Sequence, residues 1–211
     1  MRAAADAGFP VVTVHEVRPD GLVLERLDGV DMLTDLGRAP WRMGRHAATL
    51  ASLQRRLAAI PAPEGLRGPF GSGDRLVHLD FHPGNVLLTA RGPVVIDWAN
   101  AARGPAGADV AATWLLLAAA TPPEGGRLEA LATRFGRRWF LGRYLRHADR
   151  AAGVAMLAAV AQLRRSDPNL GADELERMAE VVRSNGGVTP AGGPRSVPPA
   201  PAPRRGRRRS R

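Results

Sequence analysis

The sequence contains no cysteine and no lysine; all 30 basic residues among the 211 are arginine. The missing cysteines exclude disulfides, thiolate metal sites and cysteine nucleophiles, and they accord with a reducing compartment. The missing lysines exclude chemistry built on an ε-amino group. An arginine can supply the charge, but its planar fork does not reproduce an ammonium group. Aromatic residues make up only 5%, so alanine, leucine and valine must fill the core. Long apolar runs are absent too. The greasiest stretch, residues 111–120, falls well short of the ~20 residues a membrane helix requires. Residues 1–10 carry Asp6 and Pro10 instead of the apolar core of a signal peptide. The expectation is a soluble cytoplasmic protein with no membrane partner.

Acidic residues are missing from the end of the chain. Seven arginines and no acid lie beyond Asn185, which leaves 23 arginines against 20 acids in the first 185 residues. The formal charge of +10 is therefore mostly a property of residues 186–211. That segment is rich in Gly, Pro, Ala and Arg and buries too little apolar surface to offset ordering entropy, so it is expected to be a disordered tail. It has no aromatic side chain on which a base could stack, so nucleic acid is not an expected partner beyond weak contact through the arginines.

Within the body, residues 11–17 alternate apolar and polar side chains, and 22–27 offer a second short run. Between them Arg18-Pro19-Asp20-Gly21 reads as a turn, with Pro presetting φ and Gly free to take the left-handed position. Residues 41–59 carry apolar side chains at helical spacing, ending before Pro61 and Pro63. Residues 86–88 and 94–96 flank Arg91-Gly92 as a second hairpin. Four helices are expected after it, over 108–120, 124–147, 151–165 and 172–183.

The informative stretch is His78-Leu79-Asp80-Phe81-His82-Pro83-Gly84-Asn85, followed by a hairpin that ends on Ile96-Asp97-Trp98. An aspartate in a loop, an asparagine five residues on and a second aspartate beyond a hairpin form the set that kinase-type phosphoryl transfer requires. The first orients or accepts the proton of the attacking hydroxyl, and the other two hold Mg²⁺ against the phosphates. Mg²⁺ takes a few hard oxygens and leaves the rest of its octahedron to phosphate and water, so one carboxylate and one amide suffice. Asp80 is thus the expected catalytic base, with Asn85 and Asp97 as metal ligands. His78 is read as a support of the loop and His82 as packing beside the Pro83-Gly84 turn. His15, His46 and His147 show no ligand spacing and are expected at surface or boundary positions.

These residues resemble the catalytic segment of the aminoglycoside phosphotransferase and choline kinase group, H-x-D-x-x-x-x-N followed by I-D-W. Trp98, Ala102, Gly104 and Asp109 resemble the segment that follows it in the family, whose last aspartate braces the catalytic loop. Residues 8–29 look like the last strands of the N-lobe and its hinge, where Glu25, Arg26 and Leu27 would meet adenine. The resemblance implies an α+β, protein-kinase-like two-lobe fold: an N-lobe remnant over 1–27, a mostly helical C-lobe over 28–185 and the tail. It also implies ATP or another nucleoside triphosphate as co-substrate, with Mg²⁺, and a small-molecule hydroxyl as acceptor. The acceptor itself stays open among sugars, amino alcohols, nucleosides and antibiotics.

Three departures stand out. The family's glycine-rich hairpin and its lysine-bearing strand, which precede the hinge, have no counterpart here. Pro105 occupies the place of a usual aspartate, and Gln54 that of a histidine often found at the end of the long helix. Two explanations stay open: Met1 is an internal start within a longer reading frame, or the product begins there and is a degenerate member of the family that binds weakly or not at all. A two-stranded N-lobe sheet would also leave a strand edge available for self-association.

Overall fold

The computed structural model describes residues 1–119, 127–168 and 170–186, with the backbone alone for 127–133. The chain opens with a short helix, α1 (Arg2–Asp6), and then the hairpin β1 (Val14–Arg18) and β2 (Gly21–Leu24). The register pairs Val14 with Leu24 and Val17 with Leu22. The hairpin is shorter than the alternation suggests because Val11 leaves it to bridge Val95, whose N–H donates to Pro10 O at 2.8 Å. Its turn also closes without a left-handed φ at Gly21.

Next come β3 (Gly29–Asp31), α2 (Met32–Arg38), a 3₁₀ turn at Pro40–Arg42 and the long helix α3 (Met43–Ala58). Asp31 caps α2, its Oδ1 accepting from Thr34 N at 2.8 Å, which satisfies a donor the first turn leaves free. A strand, β4 (Arg75–Val77), leads into the loop and 3₁₀ turn before the hairpin of β5 (Val86–Thr89) and β6 (Gly92–Val95). β3 adds to β5 in a three-stranded antiparallel sheet, and β7 (Ala102–Gly104) pairs with β4. Four helices complete the described chain: α4 (Gly107–Ala119), α5 (Arg127–His147), α6 (Arg150–Arg164) and α7 (Ala172–Ser184). The α+β class expected from the sequence is the class observed.

Two apolar clusters sit on either side of the 77–86 segment. On one side, Ala47, Leu50, Leu53 and Leu57 of α3 pack with Phe81, Val86, Val95, Phe140 and Tyr144. Ala4 and Phe9, from the first residues, belong to the same cluster. On the other side, Val77 and Leu79 join α4, α6 and α7. Burying each leucine fully contributes about 1.5–3 kcal/mol, so the loop is clamped by both clusters. α4 is buried almost all round, as a helix apolar on nearly every face needs to be when it packs in a core. It meets α6 closely: a Cβ on Gly107 would lie 2.2 Å from Ala152 O, and one on Gly153 would lie 2.6 Å from Val110 Cγ1.

His46 departs from its expected surface or boundary position. It is buried, with Nε2 2.7 Å from Asp35 Oδ2, while Arg42 donates to Asp35 Oδ1 at 2.8 Å. Asp35 sits inside the α2–α3 junction, and a buried carboxylate needs charged or donating partners. The expected tail lies, after Gly186, outside the described residues. Among the described residues no helix is long and apolar enough to cross a membrane.

Candidate active site

The loop after β4 is pinned by side chains from distant elements. The Asp109 carboxylate, in the first turn of α4, accepts from His78 N at 2.9 Å and from Leu79 N at 2.7 Å. Arg164 donates to Leu79 O at 2.6 Å, and Thr113 Oγ1 donates to Phe81 O at 2.5 Å. Asn85 Nδ2 donates to Asp80 O at 2.9 Å. These partners hold Leu79 at φ 61°, a left-handed conformation that costs a bulky residue on the order of 1–3 kcal/mol and persists only where the surroundings over-determine it.

His78 ties this loop to the end of β6. Its Nε2 lies 3.0 Å from Ile96 O, while Nδ1 accepts from Asp80 N at 3.3 Å. One nitrogen donates and the other accepts, which defines the neutral tautomer. Burial lowers its pKa to about 4, and the ring lies against Phe81 and Trp98 at centroid distances of 5.3 and 4.9 Å. The His78 side chain is thus a spacer between two backbone segments. His82 caps the 3₁₀ turn, Nδ1 accepting from Gly84 N at 3.1 Å, and its 3.8 Å separation from Asp80 Oδ1 is too long for a hydrogen bond.

Asp80 and Asn85 are brought together directly. Asn85 Nδ2 donates to Asp80 Oδ2 at 3.2 Å, and Arg164 Nη2 donates to Asp80 Oδ1 at 3.2 Å. Asp97 makes no hydrogen bond to either. It follows Ile96, whose N–H donates to Asn85 O at 3.0 Å, and it is exposed, also left-handed at φ 57°, with Oδ1 accepting from Ala99 N at 3.4 Å. With its amide nitrogen turned to Asp80, Asn85 keeps Oδ1 free of hydrogen bonds to described residues. One amide oxygen and one exposed carboxylate are hard donors of the kind Mg²⁺ takes, so the donor chemistry fits that ion. Among the described residues no three His, Asp or Glu side chains cluster as a metal site by themselves.

A cleft of about 550 Å³ opens beneath the β1–β2 hairpin, with Val12, Leu24, Glu25, Leu27 and Asp97 in its wall. Two of the three expected nucleotide-binding residues therefore share a cleft with Asp97. The third, Arg26, is not in that wall; its side chain stands 94% exposed, 4.0 Å from Asp28. Glu25 is tied to the hairpin, accepting from Thr13 Oγ1 at 2.8 Å and pairing with Arg91, and the Thr13 hydrogen bond leads the causes that hold its pKa below the usual value. A larger cavity, about 940 Å³ between α4, α5 and α7, contains none of Asp80, Asn85 and Asp97.

Sequence reasoning missed four supporting residues. Gln54 of α3 donates to Thr113 Oγ1 at 2.6 Å and to Asp109 O at 3.3 Å, and accepts from Tyr144 OH. Through Thr113 this buried chain reaches Phe81 O. Gln54 was visible only as a departure from a family pattern, and Thr113 and Tyr144 carried no signal. Arg164 lies 84 residues from Asp80, in a chain where arginine is too common to draw notice.

No curated protein matches this chain. Among solved structures, a choline/ethanolamine kinase family protein from Mesorhizobium loti is similar over 87% of this chain and 75% of that one, at 15% identity and a TM-score of 0.47. The sequence profile of the phosphotransferase enzyme family (APH) matches residues 1–153. That span contains the hairpin, the cleft, the whole 78–97 segment and the aspartate that pins its loop. With the match running through well over half its length, the chain belongs to the phosphotransferase enzyme family.

Proposed function

We propose that this chain transfers the γ-phosphoryl group of ATP, or of another nucleoside triphosphate, to a hydroxyl of a small molecule. The observation that carries the proposal is the Asp80 carboxylate, held at both oxygens beside Asn85 in a loop pinned by Asp109. In this reaction the acceptor oxygen attacks the γ-phosphorus, its proton passes to Asp80, and the bond to the β-phosphate oxygen breaks to release the nucleoside diphosphate. Adenine enters the cleft beneath the hairpin, against Leu24 and Leu27 and the backbone around Glu25. Asn85 and Asp97 hold Mg²⁺, which supplies charge neutralisation at the phosphates when bound.

Asp80→Ala should lower nucleotide-dependent phosphorylation by a factor of about 10²–10⁴, the usual contribution of a positioned general base, while melting changes little. ADP formation from Mg·ATP, with and without a panel of hydroxyl acceptors, measures it; an unchanged rate removes Asp80 from the mechanism. A second reading is a catalytically impaired or binding protein on the same scaffold. It predicts no turnover in either protein and no saturable, metal-dependent binding of ATP.

A further inference from the structure

We infer that Arg164 is a positioning residue for Asp80, so that the last turn of α6 sets the orientation of the reacting carboxylate. The inference rests on the phosphotransferase reading for its catalytic meaning and on geometry for the contact itself. Asp80 is gripped from two sides. Asn85 takes Oδ2 from within the loop, five residues away, and Arg164 takes Oδ1 from the far end of the chain. The same Nη2 also donates to Leu79 O at 2.6 Å. One nitrogen therefore fixes both the carboxylate and the peptide just before it, whose φ of 61° is the strained point of the loop. Asp109 holds the N–H side of Leu79, and Arg164 holds the carbonyl side.

The guanidinium is suited to this. Its fork places parallel donors on separate acceptors, and Nη1 donates to Asp167 Oδ2 at 3.3 Å while Nη2 serves the loop. The Arg164 side chain is only 12% exposed, so its position is set by packing. An ammonium group would offer a point charge and could not span Leu79 O, Asp80 and Asp167 with the same geometry. With Oδ1 held by Arg164 and Oδ2 by Asn85, the carboxylate has one orientation in which to meet an acceptor hydroxyl. Misplacement of a reacting group by about 1 Å can cost roughly 100-fold in rate, which sets the size of effect expected.

The test compares full-length wild type with Arg164→Met and Arg164→Lys. ADP formation from Mg·ATP in the presence of hydroxyl acceptors is measured alongside Mg·ATP affinity, melting, and hydrogen exchange in the peptide spanning residues 76–86. Arg164→Met should lose about 100-fold in kcat, with nucleotide affinity within about threefold of wild type and faster exchange confined to that peptide. Guanidinium ion at millimolar concentration should restore about tenfold, because a free fork can refill the same contacts. Arg164→Lys should recover only part of the rate. A kcat within threefold of wild type overturns the inference. So does a parallel loss of rate, nucleotide affinity and melting temperature without guanidinium rescue, since that marks a structural staple only. If wild type binds no Mg·ATP, the proposed function falls, and the exchange measurement then decides the contact alone: local loss of protection supports it and unchanged protection overturns it. Should Arg164→Met fail to fold, Arg164→Lys carries the same readouts.

Discussion

His78 and Asp109 meet at the start of the 78–85 loop, where the Asp109 carboxylate accepts from His78 N, and burial pushes their proton equilibria in opposite directions. Burial holds His78 neutral, lowering its pKa from 6.5 to about 4. The same force raises Asp109 from 3.8 to about 6, against the pull of the His78 and Leu79 N–H groups. The consequences for stability have opposite signs. The His78 contribution is complete above pH 6.5 and is lost as pH falls through 4; the Asp109 contribution is complete below pH 3.8 and is lost as pH rises through 6. Each amounts to on the order of 3 kcal/mol, so between those limits the two largely offset. Asp109→Asn removes the falling limb, and it also replaces one accepting oxygen with a donor. Its unfolding free energy should be lower at every pH by about 1–3 kcal/mol and should climb more steeply than wild type between pH 4.5 and 6.5. Urea titrations across that range measure both effects; parallel curves for the two proteins would refute the assignment to Asp109.

At the scale of elements, the site depends on how near α4 can come to α6, since α4 carries Asp109 and Thr113 and α6 carries Arg164. Two glycines set that distance, and they differ in what they face. Gly107 lies against the backbone of Ala152, which has nowhere to move, whereas Gly153 lies against a Val110 methyl that can rotate. Gly107→Ala should therefore destabilise by about 2–3 kcal/mol and Gly153→Ala by about 1 kcal/mol, within the usual range for overpacking. Denaturant midpoints at constant slope read the difference, and a reversed order would show that the helices are not held by these contacts. The long helices were legible from period and breakers: α3 and α4 lie within two residues of their expected bounds. The three-residue strands β3, β4 and β7 were not, because three residues carry no periodicity, and α2 was hidden by its mixture of polar and apolar positions.

Across the whole molecule, occupancy of the cleft should couple to stability. If Mg·ATP binds as proposed, a concentration of 100 times Kd should stabilise the fold by about 2.7 kcal/mol, an upward shift of roughly 5–10 °C in a chain of this size. Asp97→Ala, at an exposed position, should leave the unliganded melting temperature nearly unchanged and remove most of that shift. Thermal melts with Mg·ATP and with ATP plus chelator separate the metal-dependent part, and an equal shift in both would take Asp97 out of the ligand set.

The sequence by itself determined the segment that matters: the order and spacing of Asp80, Asn85 and Asp97, the hairpin between the last two and the helices that follow. Such features are local, and spacing along a chain is enough to specify them. The tertiary structure decided which side chains hold that segment in place. Thr113, Gln54, Tyr144 and Arg164 reach the loop or its supports across 32 to 90 residues of chain, and they were selected by the packing of α3, α4, α5 and α6. A hydrogen bond requires about 3 Å in space whatever its separation in sequence, so partners of this kind are fixed only once the helices have docked.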